Sequence, residues 1–221
     1  MRKLFIVSLL VVAGHVPASA QHTAFRYILG EIHKVYDKPV FGNYCMGLGI
    51  DRSFNSRLTV GFDITYDIAS VLQMDNGRSL SVTSGGHTAT YFVNKKMLSL
   101  NYHTEYALAD NDGTHVYIGT YIGLRHITQN WVDDSYYNYS NITYTSFPQR
   151  VSASKVLIPL GLRIGVRGSV DEGFLDLYAQ LGYQIGGGES LYPRYPVLAK
   201  AEYTQTSSLA FSLGLAYGIG W

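Results

Sequence analysis

The sequence predicts an all-β chain: a single closed antiparallel transmembrane β-barrel of about eight strands. Three observations predict it. Apolar side chains alternate with small or polar ones along successive segments from about residue 40 to the end. The non-apolar face is dominated by Gly, Ala and Ser with only a few charges, while the apolar face is uniformly large. Short, turn-like connections alternate with long ones. Strict alternation sends neighbouring side chains to opposite faces of a sheet. A soluble sandwich or a lipocalin-type barrel turns its apolar face inward and a polar face to water. Here the polar face is too small-sided for a water-facing surface, and it suits the narrow interior of a small barrel whose large residues meet lipid.

Composition narrows the classes further. Charged residues are 15% of the 221 and the net charge is +1, which excludes a basic nucleic-acid surface and an acidic disordered tail. Gly (23) and Tyr (19) are abundant, and the single Cys excludes both an intrachain disulfide framework and a Cys-based zinc site. Cys45 is therefore read as an unpaired thiol.

The first element is an address. Arg2 and Lys3 precede the apolar run Leu4 to Ala13, and Ala18-Ser19-Ala20 closes it with small residues. This is the pattern of a secretory signal peptide, too short to span a bilayer, for which about 20 residues are needed. Residues 1–20 are thus expected to be cleaved after Ala20, with Ala18 and Ala20 forming the cleavage site, and residues 21–221 to form the barrel. No Cys stands at the cleavage site to carry a lipid anchor.

The segment 24–36 is ambiguous locally. Phe25, Ile28, Leu29, Ile32 and Tyr36 are spaced for one face of an amphipathic helix, while Phe25, Tyr27 and Leu29 offer a brief alternation. Seven strands follow it, and a barrel with both ends on one side of the membrane needs an even number. An open edge in lipid would leave backbone groups unsatisfied at several kcal/mol each, so closure assigns 24–36 as the first strand.

The remaining strands follow in order. Tyr44, Met46, Leu48 and Ile50 alternate with Cys45, Gly47 and Gly49, and Leu58 to Ile68 alternate with Gly61, Asp63, Thr65 and Asp67. Leu98 to Tyr106 face away from Ser99, Asn101, His103 and Glu105, and Ile118 to Leu124 away from Gly119, Tyr121, Gly123 and Arg125. Val156 to Val166 oppose Pro159, Gly161, Arg163, Gly165 and Arg167, and Leu175 to Ile185 oppose Asp176, Tyr178, Gln180, Gly182 and Gln184. In the last strand Leu209, Phe211, Leu213, Leu215, Tyr217, Ile219 and Trp221 share one face. Asp51 to Ser56, Ala109 to Thr114 and Gly168 to Gly173 carry the Gly, Asn and Asp that tight turns demand. The long connections are 73–91, 130–153 and 187–204.

This arrangement resembles the OmpA/OmpX-type outer-membrane β-barrels. A signal peptide, about eight alternating strands and a C-terminal strand ending Tyr217-Gly-Ile219-Gly-Trp221 carry the resemblance, as does the strand–turn–strand segment from Gly47 to Gly61. It implies a bacterial outer-membrane location reached through the secretory pathway. It also implies recognition of Tyr217, Ile219 and Trp221 by the barrel assembly machinery, and a monomer in the lipid bilayer. No peptidoglycan-binding domain follows the barrel in this sequence.

The inward charges, Asp63, Asp67, Glu105 and Asp176 against Arg125, Arg163 and Arg167, are read as a salt-bridged network filling the lumen rather than an ion path. Eight strands leave an interior only wide enough for side chains. Arg125-His126-Ile-Thr128-Gln-Asn130 faintly resembles the His-x-Ser-Asn pattern of barrel-type lipid A deacylases. Parity puts His126 and Thr128 on the lipid face near the outer rim. Thr is a poor nucleophile in place of Ser, and no acidic partner is identifiable, so no catalytic residue, cofactor or metal is assigned. Asp133-Asp134 is too little for a calcium site, and Gly186-Gly-Gly188 lacks the context of a phosphate-binding loop. The Tyr-rich stretch Trp131 to Tyr144 suits a pair of strands extended above the membrane, a partner-binding surface, or both. The expected role is therefore structural or interactive, through the long loops, with a lipid A-modifying enzyme or a narrow channel as alternatives.

Overall fold

A computed structural model describes residues 22–36, 43–68, 79–84, 87–111, 113–133, 150–191 and 205–220, and these described residues form nine antiparallel strands. They are β1 (His22–Tyr36), β2 (Asn43–Ser53), β3 (Leu58–Asp67), β4 (Ser79–Ser84), β5 (His87–Asn111), β6 (Thr114–Asp133), β7 (Arg150–Val170), β8 (Gly173–Ile185) and β9 (Thr206–Ile219). Each pairs with its chain neighbour, except that β3 pairs with the lower part of β5 and β4 with its upper part. Pairing of β1 with β9 closes the ring, so eight strands make the barrel and β4 stands outside it. The cleavage residues Ala18 and Ala20, the terminal Trp221 and residues 134–149 lie outside the described residues.

The segment 24–36 is a strand, and the structure explains its helix-like spacing. Up to Ile28 the even positions Ala24, Arg26 and Ile28 are buried, whereas from Glu31 onward the odd positions Glu31 and His33 are. The register shifts between Ile28 and Gly30 against β9, and between Ile28 and Glu31 against β2. A β-bulge inserts one residue and inverts the parity. An alternation that changes phase in this way places Phe25, Leu29 and Ile32 at near-helical spacing.

The turns follow from local chemistry. Between β2 and β3, Asn55 Oδ1 accepts hydrogen bonds from the backbone N–H groups of Arg57 and Leu58, both at 2.8 Å. This is the side-chain-closed turn that Asn favours. Gly113 (φ +82°) turns β5 into β6, and Asp171 (φ +49°) turns β7 into β8, in the left-handed region that Asp tolerates better than most residues. These three turns and the ends of β1 and β9 lie at one rim, here the turn end.

At the other rim, the loop end, part of the expected connections is sheet. The connection 73–91 contains β4 and the start of β5, paired from Ser79↔Phe92 to Ser84↔His87. Strands β6 and β7 run up to the pair Val132↔Arg150, so the ends of 130–153 are strand as well. β8 ends at Ile185, and Gly186 and Gly188 follow with positive φ, which makes this triple glycine a strand end.

Candidate functional site

The barrel is built inside out. Every barrel strand presents large apolar side chains outward, among them Phe25, Leu48, Ile64, Leu98, Ile122, Leu162, Leu181 and Leu213, all more than a third exposed. Soluble monomers rarely expose contiguous apolar patches above a few hundred Å². A belt drawn from all eight strands is compatible with hydrocarbon, not with water. Polar side chains on this face find local partners, as Thr104 and Thr120 do across β5 and β6, with their hydroxyls 2.9 Å apart. Inside, four arginines, Arg26, Arg125, Arg163 and Arg167, are among the largest fully buried side chains.

The small inner residues have a steric reason. A Cβ on Gly218 would run into the Phe174 ring, and one on Gly214 into the Tyr178 ring. Both glycines face the partner strand's inward aromatic, since Phe174 pairs with Gly218 and Tyr178 with Gly214. Small residues on β9 thus leave room for the large ones that fill the lumen.

Towards the turn end the inward side chains form one charged layer. Arg26 donates from Nη2 to both oxygens of Asp63 (2.9 and 2.8 Å), and from Nη1 to Asp176 Oδ2 (3.0 Å) and Asp51 Oδ2 (3.4 Å). Arg167 Nη2 donates to Asp51 Oδ2 (3.0 Å), Glu105 Oε2 (2.9 Å) and Asp176 Oδ2 (3.2 Å). Arg163 lies 3.5 Å from Asp176 Oδ2 and 3.6 Å from Asp63 Oδ2. Tyr117 donates its hydroxyl to Asp176 Oδ1 at 2.8 Å. Arg163 stacks over Tyr178 at 3.8 Å and Arg167 over Phe174 at 4.6 Å, a cation–π packing that suits the planar guanidinium. His103 is fully buried among these carboxylates.

A second polar group lies nearer the loop end. Arg125 Nη1 donates to Gln184 Oε1 at 3.0 Å, and Gln184 Nε2 donates to the carbonyl of Ser207 at 2.8 Å. Glu31 Oε2 and His33 Nε2 are 3.3 Å apart. Cys45 is a buried free thiol on this inner face, paired in register with Asp67.

All seven residues expected in the lumen are therefore inside, but in two groups. Asp63, Glu105, Arg163, Arg167 and Asp176 share the charged layer, whereas Arg125 contacts Gln184 instead, and Asp67 sits beside Cys45. Sequence reasoning missed Arg26, Asp51, His103, Glu31 and His33. The bulge hid the parity of Arg26, Glu31 and His33. Asp51 looked like a turn residue although it continues the inward series of Cys45, Gly47 and Gly49. His103 was on the inward face without an assigned role.

Outside the lumen, His126 pairs with Leu98 and Val156, and Thr128 with Lys96 and Ser154. His126 and Thr128 are outward by parity. Tyr217 and Ile219 pair with Leu175 and Gly173 on β8 and with Tyr27 and Phe25 on β1, at the closing seam.

No family model matches the chain, and no curated protein is similar to it in sequence. Among solved structures it is similar to a major outer membrane protein from Thermus thermophilus, with a TM-score of 0.51 and 11% identity, covering 90% of this chain and 100% of that one. Neisserial surface protein A matches with a TM-score of 0.47 and 10% identity, over 92% of this chain and 98% of that chain. The attachment invasion locus protein of Yersinia pestis matches with a TM-score of 0.44 and 10% identity, over 90% and 97%. The closed eight-strand ring and its apolar belt agree with the first of these: the chain has the fold of the eight-stranded outer-membrane β-barrels.

Proposed function

We propose that this protein is a non-enzymatic barrel of the bacterial outer membrane that acts as a structural element and contacts partners through its loop end. The observation that carries the reading is the contrast between a sealed lumen and a projecting sheet. The charged layer crosses the interior with arginines and carboxylates bonded to one another, which suits a plug better than a path. At the loop end, β5 and β6 stay paired from Lys96↔Thr128 up to Tyr91↔Asp133. Five residues of strand carry the sheet about 17 Å further along its own direction. Such a paired extension leads into the connections 73–91 and 130–153, and with 187–204 these form the proposed contact surface. His126 supports catalysis poorly, because its cross-strand neighbours are Leu98 and Val156 and neither is an acid.

In this reading the short turns and both chain ends face the periplasm, Tyr217, Ile219 and Trp221 serve the assembly machinery, and residues 1–20 direct secretion. The test is surface proteolysis of intact cells, combined with heat-modifiable gel mobility of the detergent-folded protein. Cleavage within 73–91, 130–153 or 187–204 with a heat-modifiable band is expected. Cleavage confined to the three short turns would overturn the topology.

A further inference from the structure

The charged layer contains three ligand-type atoms from three residues that converge without bonding one another well. His103 Nε2 lies 3.3 Å from Asp51 Oδ1 and 3.3 Å from Glu105 Oε1. The two oxygens and the nitrogen all lie within 4.8 Å of one another. All three atoms are buried, and none has a hydrogen-bond partner in acceptable geometry. We propose that this layer binds a divalent transition-metal ion of the zinc type through Asp51 Oδ1, His103 Nε2 and Glu105 Oε1.

The spacing fits such an ion. Ligands at about 2.0–2.1 Å around a tetrahedral zinc are about 3.4 Å apart, close to both nitrogen–oxygen separations here. The surroundings fit too. The arginines occupy the opposite oxygens: Asp51 Oδ2 by Arg26 and Arg167, and Glu105 Oε2 by Arg167. On the ligand side, Arg163 Nε stands 2.9 Å from Glu105 Oε1 but out of line for a hydrogen bond, and Arg26 Nη1 is 3.8 Å from it. Four carboxylates (Asp51, Asp63, Glu105, Asp176) against three guanidiniums leave one negative charge, the sign a cation requires. His103 Nδ1 faces Asp63 Oδ2 at 3.4 Å. That contact is outside hydrogen-bond geometry, so both ring nitrogens of His103 are buried without a hydrogen-bond partner.

Backbone and access complete the site. A Cβ on Gly61 would collide with both Asp51 Oδ1 and His103 Nε2, so only glycine on β3 leaves the space between them. Entry is from the turn end, where a cavity of about 420 Å³ reaches Glu105 and Arg167. Three protein ligands are a common zinc set, and of the three Glu105 is the one that lines this cavity. No sequence motif announces it, because Asp51, His103 and Glu105 come from β2 and β5 and are brought together by β3 between them.

The test uses untagged, detergent-folded protein loaded with Zn²⁺, desalted, and assayed by elemental mass spectrometry. We expect about one zinc per chain, affinity at least tenfold weaker in His103→Gln, and retention in the double variant His22→Ala/His115→Ala, which removes the histidines at the cavity mouth. Folded wild-type protein without zinc, zinc unaffected by His103→Gln, or zinc lost with His22 and His115 would each overturn the proposal. Should His103→Gln not fold, Co²⁺ in the wild-type protein decides. Intense four-coordinate visible bands without thiolate charge transfer support the site. Weak six-coordinate bands, or a thiolate band from Cys45, reject it.

Discussion

Replacing Arg26 by methionine removes the one guanidinium that approaches all four carboxylates of the charged layer. Its four charge-assisted hydrogen bonds, at about 1.5–3 kcal/mol each, would sum to about 6–12 kcal/mol if independent. They are not independent, because Arg163 and Arg167 already touch the same acids and would take over part of the contact. What remains is the penalty for leaving a dry carboxylate, chiefly Asp63, short of its bidentate partner, about 3–5 kcal/mol. The layer would pass from four acids and three arginines to four and two. Adding Asp63→Asn restores the original net charge of minus one, so the double variant should be more stable than Arg26→Met alone, the signature of coupled residues. The assay is urea unfolding of the barrel in lipid vesicles, followed by tryptophan fluorescence. A loss below about 1 kcal/mol, the range of a screened surface pair, would refute a dry plug. So would a double variant weaker than the single.

Four further outcomes follow. Spin labels at positions 162 and 163, in a Cys45→Ser background, should differ: Leu162 is 56% exposed and Arg163 is not exposed at all, so oxygen dissolved in the bilayer should reach only the label at 162. Free access of a water-soluble quencher to 162 would mean a soluble sheet. In the same strand Leu162→Arg should destabilise by about 2–4 kcal/mol if it sits near the bilayer midplane, and no change in the urea midpoint would place that face elsewhere. Lipid A from cells with and without the protein should carry the same acyl chains by mass spectrometry, and an acyl chain lost in a His126-dependent way would make the protein an enzyme. Planar-bilayer recordings should show no steady conductance with the charged layer intact, and a reproducible open level would mean that the lumen conducts.

Local pattern and tertiary closure determined different things. The in-or-out direction of most side chains on seven strands was legible in the sequence, because alternation is a property of the extended backbone itself. Leu162 and Arg163 must part whatever surrounds them. The large outward and small inward residues made the lipid-facing side legible as well. The first strand was not, since its bulge at Ile28–Glu31 breaks the parity, and only the need for β1 to join β2 to β9 reveals it. Nor were the partners inside. Arg26 bonds Asp176 across 150 residues of chain, and Arg125 stands apart from Arg163 although both point inward. Which charges meet depends on strand stagger and on closure of the ring, and these set height along the barrel axis as well as facing. Period two carries no information about that height. It told that Glu105 and His103 face the lumen, and only the register of β2 and β5 on β3 brought Asp51 against them.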